Sequence, residues 1–578
     1  MKKSICIILG ISMFMLSACG SKVDVNINQP ADTDNEVTAD ASEEKDEETA
    51  DPKEDEAPAE DDAQVTATQP VYKLVRQYFS EDYSGSSKTD GSGDSLEGRQ
   101  VYDGMTETIM VADACKDQFP KLYENFNLAA KEEFKSNKEN AESMIEQANA
   151  DADSSADDER PFIGPWTDYS TENIIRADEK VVSYICDFSN FTGGAHGSYG
   201  RTAATYDVES GEKLELTDVA DTTIDQLAPA IKDKLLEKAD EDDFFPELDD
   251  TLKSYSLTSV PDGSEEVSLV WYLGFDGIHF YFGPYALAAY AMGDWDIVIG
   301  YDEFPGTVDE KYLPDTDRGY VTASNLWFNS SSAEEDSDET LHFVYEGQEE
   351  EFSPNGFVDC TALSLRQGSK SAKAEDEYFS FSYVKDSCRQ YKVVTADKKE
   401  YIYVNLLTYN DYVDVAVFDI TGGDIKFAGA HTCHVVYEDF EDDTYAGEFI
   451  PTDPENLYYS EVGDLIGTYS CYGRYVVGAD GLPEFADKYY TMAWGADPVK
   501  SVQDIEVTVL DENGDETGTE TLPAGTKYRP LRTDNKTYMD CEIDDGREVR
   551  LKYSSSGYPA EINGKSVDDL FENLMYAG

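Results

Sequence analysis

The chain has 578 residues, of which 121 are Asp or Glu and 45 are Lys or Arg, for a formal net charge of -76. So acidic a surface repels polyanions, which excludes nucleic acid as a partner and makes anionic lipid headgroups a poor one. Two uses of the charge remain, attraction of a cationic partner or plain solubility, and charge alone does not separate them.

The N-terminus reads as an export signal over 1–18. Lys2 and Lys3 form a basic start, Ile5 to Leu16 an apolar core, and Leu16-Ser17-Ala18-Cys19 sets small residues directly before a cysteine. This apolar run is too short to span a bilayer, and no later run of about 18 apolar residues does so. The pattern is that of a bacterial lipoprotein, cleaved before Cys19 and lipidated on it. A diacylglyceryl group and an amide-linked, palmitate-like chain are expected, because a single acyl chain holds a membrane only marginally. The predicted location is the outer, extracytoplasmic face of the cell membrane, in the cell envelope, with the lipid anchor as the contact. A secreted protein cut after Ala18 is the alternative. Residues 20 to 67 contain no aromatic side chain and are rich in Asp, Glu, Ala and Thr. Segment 19–67 is therefore the lipidated cysteine with a disordered, acidic spacer, on the order of 40 Å long.

From Val71 onward aromatic residues are abundant and short alternating patterns dominate. The expected fold class is α+β: a mixed sheet packed with helices in a first domain (68–305, in halves of 68–180 and 181–305), then an all-β middle and a small β-rich C-terminal module. In the first domain Val182, Tyr184, Cys186 and Phe188 share one face of a strand, and Ile278, Phe280 and Phe282 oppose His279 and Tyr281. Phe119, Leu122, Tyr123, Phe126 and Ala130 recur at helical spacing, and Thr222 with Asp225 predicts a capping box before Ile224, Leu227, Ile231 and Leu235. An acidic linker is expected over 306–340, overlapping an all-β region of 320–490 in which Tyr401 to Leu407 and Val413 to Ile420 are strands and Thr421-Gly422-Gly423-Asp424 a turn. The last unit, 500–578, predicts a barrel-like module with strands at Ile505 to Leu510, Met539 to Ile543 and Val549 to Tyr553. A final helix, capped by Ser566 and Asp569, would turn Leu570, Phe571, Leu574 and Met575 inward.

Three segments of the first domain are distinctive: Asn190-Phe191-Thr192-Gly193-Gly194-Ala195-His196-Gly197, Tyr206 to Leu214, and Gly277 to Ala291 with Gly283-Pro284-Tyr285 at its centre. They resemble the extracytoplasmic lysozyme-binding domain of the sigma-V anti-sigma factors, which also stands beside the catalytic domain of certain peptidoglycan deacetylases. The resemblance covers under half of the chain. It implies lysozyme, a cationic wall-directed protein, as partner. Ala289 departs from the proline found in many members. The transmembrane helix and cytoplasmic segment of the anti-sigma members are not recognised here, nor is the Asp and His metal site of the deacetylases. The residues support the segments independently. Gly193-Gly194 permits positive φ between two strands, Asp207 to Gly211 is a hairpin turn, and Gly283-Pro284 ends a strand and presents Tyr285. Candidate partner-binding residues are Pro284, Tyr285, Tyr290 and His196, with two readings open for the tyrosines: contact residues on an exposed loop, or packing under the sheet. His196 is a base, a contact or a turn stabiliser, and the last fits its Gly-rich setting best.

No catalytic site, metal site or cofactor is expected. None of the five histidines begins an HExxH motif. His431 and His434 would face opposite ways on a strand, with Cys433 beside His431, so they share no ion. Apart from Cys19, the seven cysteines beyond the signal form no zinc pattern and allow no deduced pairing. Gly564-Lys565-Ser566 has Pro559 where a phosphate loop needs its first glycine. The reading is a non-catalytic surface lipoprotein that binds a cationic protein such as lysozyme, as decoy, inhibitor or sensor. The alternatives are a peptidoglycan-binding scaffold of the envelope, and a hydrolase with its site in 320–490.

Overall fold

The computed structural model describes residues 69–576, except 262–263, 265, 316, 325–327, 331–340, 350–356, 375–381, 385–387, 409–411, 435–437, 440–445 and 495–496. The export signal, Cys19 and the acidic spacer lie outside the described residues, as does 331–340 of the expected linker. Among the described residues no helix is long and apolar enough to cross a membrane. The architecture is α+β, a mixed sheet with helices followed by antiparallel strands.

Strands β1 (Tyr72–Asp82) and β2 (Gln100–Val111) are antiparallel, with Tyr72 opposite Val111. The chain then forms α1 (Pro120–Asp157) and returns as β3 (Trp166–Ala177), parallel to β2. Parallel neighbours need a long crossover, and α1 provides it over about 57 Å at 1.5 Å per residue. Pro120 stands at the helix start, where its missing N–H leaves no bond unmade. Leu122, Phe126, Ala130 and Phe134 are buried, and the same stripe continues through Ala141, Ala148 and Ala152. Strands β4 (Val181–Phe191) and β5 (Ser198–Asp207) complete the sheet with antiparallel pairings.

A second core lies beside this sheet. Helices α2 (Ile224–Leu236) and α3 (Leu248–Lys253) pack with β6 (Val270–Leu273), β7 (Gly277–Phe282) and β8 (Trp295–Gly300). The capping box of α2 is Thr223 with Gln226, one residue beyond the expected Thr222 and Asp225. Thr222 instead donates its hydroxyl to the Pro305 carbonyl, 2.6 Å away. As expected, Ile278, Phe280 and Phe282 enter the core while His279 and Tyr281 face the other way.

The start of the expected linker is paired. Thr307–Val308 bonds to Ala220–Asp221, and Tyr320–Ala323 to Arg389–Val394. From there the chain is antiparallel β: Glu400–Leu407, Tyr412–Asp419, Lys426–His434, Leu457–Gly463 and Tyr469–Val477 lie in one sheet, with the turn at Thr421–Gly423. One strand leaves that sheet. Ala446–Ile450 pairs with β1, with Tyr72 opposite Ile450, so the first sheet takes in a strand from the middle region. In the last unit Ile505–Leu510 lies between Glu516–Leu522 and Glu548–Ser555, and Tyr538–Ile543 between Glu548–Ser555 and Lys527–Thr533. The final helix is shorter than expected and ends at Leu570. Phe571 turns extended and pairs with Ser501, so strand bonds replace the next helical turn. Ser566 caps the helix through the Asp568 N–H, and Met575 is 80% exposed rather than inward.

The two layers are also joined by charge. Glu107 on β2 has no solvent contact and is held by Arg76 on β1 and by Arg389 of the later sheet. Arg76 also pairs with Glu448 at 3.2 Å. Burial alone would raise the Glu107 pKa, but the two guanidinium groups hold it below the usual carboxylate range. Replacing Arg389 by Met leaves Glu107 with half its neutralising charge, so the expected loss of stability is about 3 to 5 kcal/mol. Urea unfolding of the purified chain measures it; a loss under about 1 kcal/mol would show that Arg76 suffices.

Candidate functional site

Two loops at one end of the first domain carry the candidate residues. The β4–β5 loop turns through Gly193 and Gly194, with φ of 85° and 104°, a region that favours glycine. The loop after β7 runs Gly283-Pro284-Tyr285-Ala286 and is closed by the Ala286 N–H bonding to the Gly283 carbonyl at 3.1 Å. Tyr285 occupies the third position of that turn with φ 66°, where glycine or asparagine is usual. Its backbone strain is of order 1 kcal/mol, and its ring is directed outward.

The two loops meet at Tyr290. His196 stacks on the Tyr290 ring with centroids 4.3 Å apart, Tyr285 lies 5.4 Å away, and Tyr199 meets it edge-on at 5.9 Å. The Gly197 carbonyl accepts from Tyr290 Oη at 3.2 Å and lies 2.9 Å from His196 Nδ1, which donates to it as the protonated nitrogen. Tyr285 is 58% exposed and Tyr199 37%, while Tyr290 is half-buried between them. Pro284 lies in the same turn. His196, Tyr285 and Tyr290 thus meet with Tyr199 in one aromatic ledge, and Tyr285 faces outward while Tyr290 is half-buried within the group. His196 stabilises its turn and is also part of the surface. Tyr199 was not anticipated, although its alternation with Arg201 along β5 is the signal that would have found it.

Below the ledge runs a charged seam. Arg201 donates to Asp187 at 2.7 Å and to Asp296, lies 5.1 Å from the Tyr281 ring centre, and shares Asp296 with the Tyr272 hydroxyl. Asp294 is exposed and pushes the phenols of Tyr199 and Tyr281 further up, behind burial as the main cause. His279 sits between Asp276, at 2.9 Å, and Asp296, at 3.5 Å, and stacks on Tyr272 at 4.7 Å. Burial would lower its pKa, but the two carboxylates outweigh that and bring it to about 9.

The remaining candidates fall elsewhere. His431 and Cys433 face the core, and burial lowers the His431 pKa to about 4. His434 packs on Tyr412 at 3.9 Å, so the two histidines do part as expected. Among the described residues one group brings together three side chains of the metal-ligating type, Glu133, Glu172 and Cys186, with ligand atoms all within 4.8 Å. Their separation in sequence hid it. Glu172 accepts from the Ile109 N–H at 2.6 Å and bonds Glu133, and burial together with the Glu133 charge raises its pKa well above the ordinary value. The pair can share a proton. Among the described residues no disulfide forms; Cys115, Cys186, Cys433, Cys471 and Cys541 are free thiols.

Residues 111–199 match a family described as Deacetylase PdaC, and residues 215–302 match a family described as a protein of unknown function, DUF3298. Each match covers well under half of the chain. The first runs from the end of β2 past the Gly193-Gly194 turn. No curated protein matches. Among solved structures, a DUF3298-family protein from Bacteroides fragilis is 14% identical with a TM-score of 0.31, covering 42% of this chain and 96% of its own. Another, from Pseudomonas aeruginosa, is 16% identical with a TM-score of 0.26, covering 43% of this chain and 99% of its own.

Two titrations test these networks. The His279 folded pKa of about 9 exceeds the ordinary 6.5, so its contribution, up to ~3 kcal/mol, is complete below pH about 6.5 and lost as pH rises through about 9. Proton NMR of the ring should give a midpoint near 9; a midpoint near 6.5 would mean that the carboxylates do not clamp it. The raised Glu172 pKa makes stability fall as pH rises above the ordinary carboxylate range. Glu172→Gln should therefore resist urea better than the parent at neutral pH, with the difference vanishing near pH about 4. An unchanged or lower midpoint at neutral pH would show that burial beside Glu133 does not penalise the Glu172 carboxylate there.

Proposed function

We propose that the chain is an extracytoplasmic lipoprotein, anchored through Cys19, whose ledge of His196, Tyr199, Tyr285 and Tyr290 captures a cationic protein at the cell surface. The observation that carries this reading is the meeting of two separate loops in one exposed aromatic cluster, with Tyr285 held in a backbone conformation that costs energy and serves no core. Isolated exposed aromatics need no explanation, but a contiguous group beside unspent charge marks a binding surface. Asp294 borders the ledge, and the chain's net charge of -76 would steer a basic partner, raising association by about tenfold to a thousandfold at low salt. Lysozyme is the partner that the sequence resemblance implies. The matched family descriptions support an envelope setting, and the deacetylase name of one of them carries no catalytic role to this chain.

The test is calorimetry of the purified chain with a panel of lysozymes at low and high salt, with lysozyme activity followed in parallel. Saturable binding that weakens with salt is expected, and Tyr285→Ala should reduce affinity by about 30-fold, as for a central aromatic anchor. Absence of binding across the panel, with the chain still sedimenting on purified peptidoglycan, would overturn protein capture and assign the ledge to sugar stacking.

A further inference from the structure

A separate cleft of about 480 Å³ opens where the β6–β8 sheet meets the later β region. Its volume falls in the range of small-ligand sites, which favour junctions of this kind. Three parts of the chain contribute: the end of α2 with Lys234 and Lys238, the sheet with His279 and the turn at Phe275 and Asp276, and the later strands with Tyr320 and Lys392. Its composition differs from the rest of the molecule. Three lysines and three carboxylates line it, in a chain where acids outnumber bases 121 to 45. His279 adds a further cation, held between Asp276 and Asp296.

The cations are not all spent. Lys238 Nζ donates to the Asp296 backbone carbonyl at 2.6 Å and has no carboxylate partner among the described residues. Lys392 pairs with Glu400 at 2.9 Å and is half-buried, which leaves two of its three N–H donors. Apolar surface stands beside them. Phe275 and Tyr320 stack with centroids 4.0 Å apart, one from each side of the junction, and both remain half-buried. Asp276 is exposed close to Lys392.

We infer that this cleft binds a small zwitterion, an amino acid or short peptide with a free carboxylate, through Lys238, Lys392 and the Phe275–Tyr320 pair. The ammonium groups take the carboxylate, the stacked rings take an apolar side chain, and Asp276 lies within the same cleft to accept the amine. An anionic group entering elsewhere on this surface meets repulsion, whereas here it meets Lys238, which has no carboxylate partner among the described residues, and the remaining donors of Lys392. Because the cleft joins the α+β domain to the later sheet, a ligand in it would touch both. This site is independent of the aromatic ledge, and neither reading depends on the other.

The test is calorimetry of the full chain with a panel of free dipeptides carrying an aromatic or branched C-terminal residue, together with their C-terminal amides. Saturable binding to a single site is expected for at least one free dipeptide, with at least about a tenfold loss on amidation. Lys238→Gln and Lys392→Gln, both outside the core, should each weaken it by about tenfold, while lysozyme binding at the ledge stays unchanged. No binding across the panel at millimolar concentration overturns the assignment. Equal affinity for acids and amides, or indifference to both lysine substitutions, overturns it equally.

Discussion

A carboxylate without water must be neutralised inside the protein, and Glu107 is neutralised by two arginines far apart in the sequence. Arg76 belongs to the neighbouring strand of its own sheet, Arg389 to the later β region. Beside them β1 presents an edge whose backbone groups need partners, and Ala446–Ile450 provides four residues of ladder. Both constraints act at the same seam. With either unmet, a buried charge or an open sheet edge would remain, so the α+β domain and the β region are one cooperative body along this line.

That body fixes the geometry of everything else. The β4–β5 loop and the loop after β7 are brought together by the packing of β4 and β5 against β6, which puts His196 within stacking distance of Tyr290. Arg201 extends the arrangement inward and ties Asp187 on β4 to Asp296 on β8. A single guanidinium therefore holds the base of the ledge and one side of the His279 clamp. The later sheet closes the far side of that clamp with Tyr320 and Lys392, forming the cleft. The charge around the two places differs: exposed Asp294 borders the ledge, whereas Lys234, Lys238 and Lys392 line the cleft.

The chemistry of the buried acids follows the same logic in three forms. Glu107 is clamped by arginine, which lowers its pKa, whereas Glu172 is buried against another acid, which raises it. Asp296 has a cation on each side, in Arg201 and His279. Which form each takes depends on neighbours from distant parts of the chain.

What the sequence determined by itself is local. Alternation gave the faces of β4 and β7, helical spacing gave the first turns of α1, and paired glycines gave the β4–β5 turn, because these depend on residues within one element. Part of the ledge was legible, since His196 and Tyr285 lie in turns set by glycine and proline, but whether Tyr285 and Tyr290 were exposed or packed under the sheet stayed open, and Tyr199 was not anticipated. Errors arose where long-range bonds compete with local preference. Phe571 leaves a predicted helix to pair with Ser501, and Thr307–Val308, in a stretch that reads as linker, becomes a strand because Ala220–Asp221 offers it a partner. Tertiary structure alone decided that Ala446–Ile450 would join β1, that Glu133, Glu172 and Cys186 would meet, and that Lys238 and Lys392 would share a cleft. Periodicity reports which side of an element is apolar, but it carries no information about which distant element that side, or that edge, will meet.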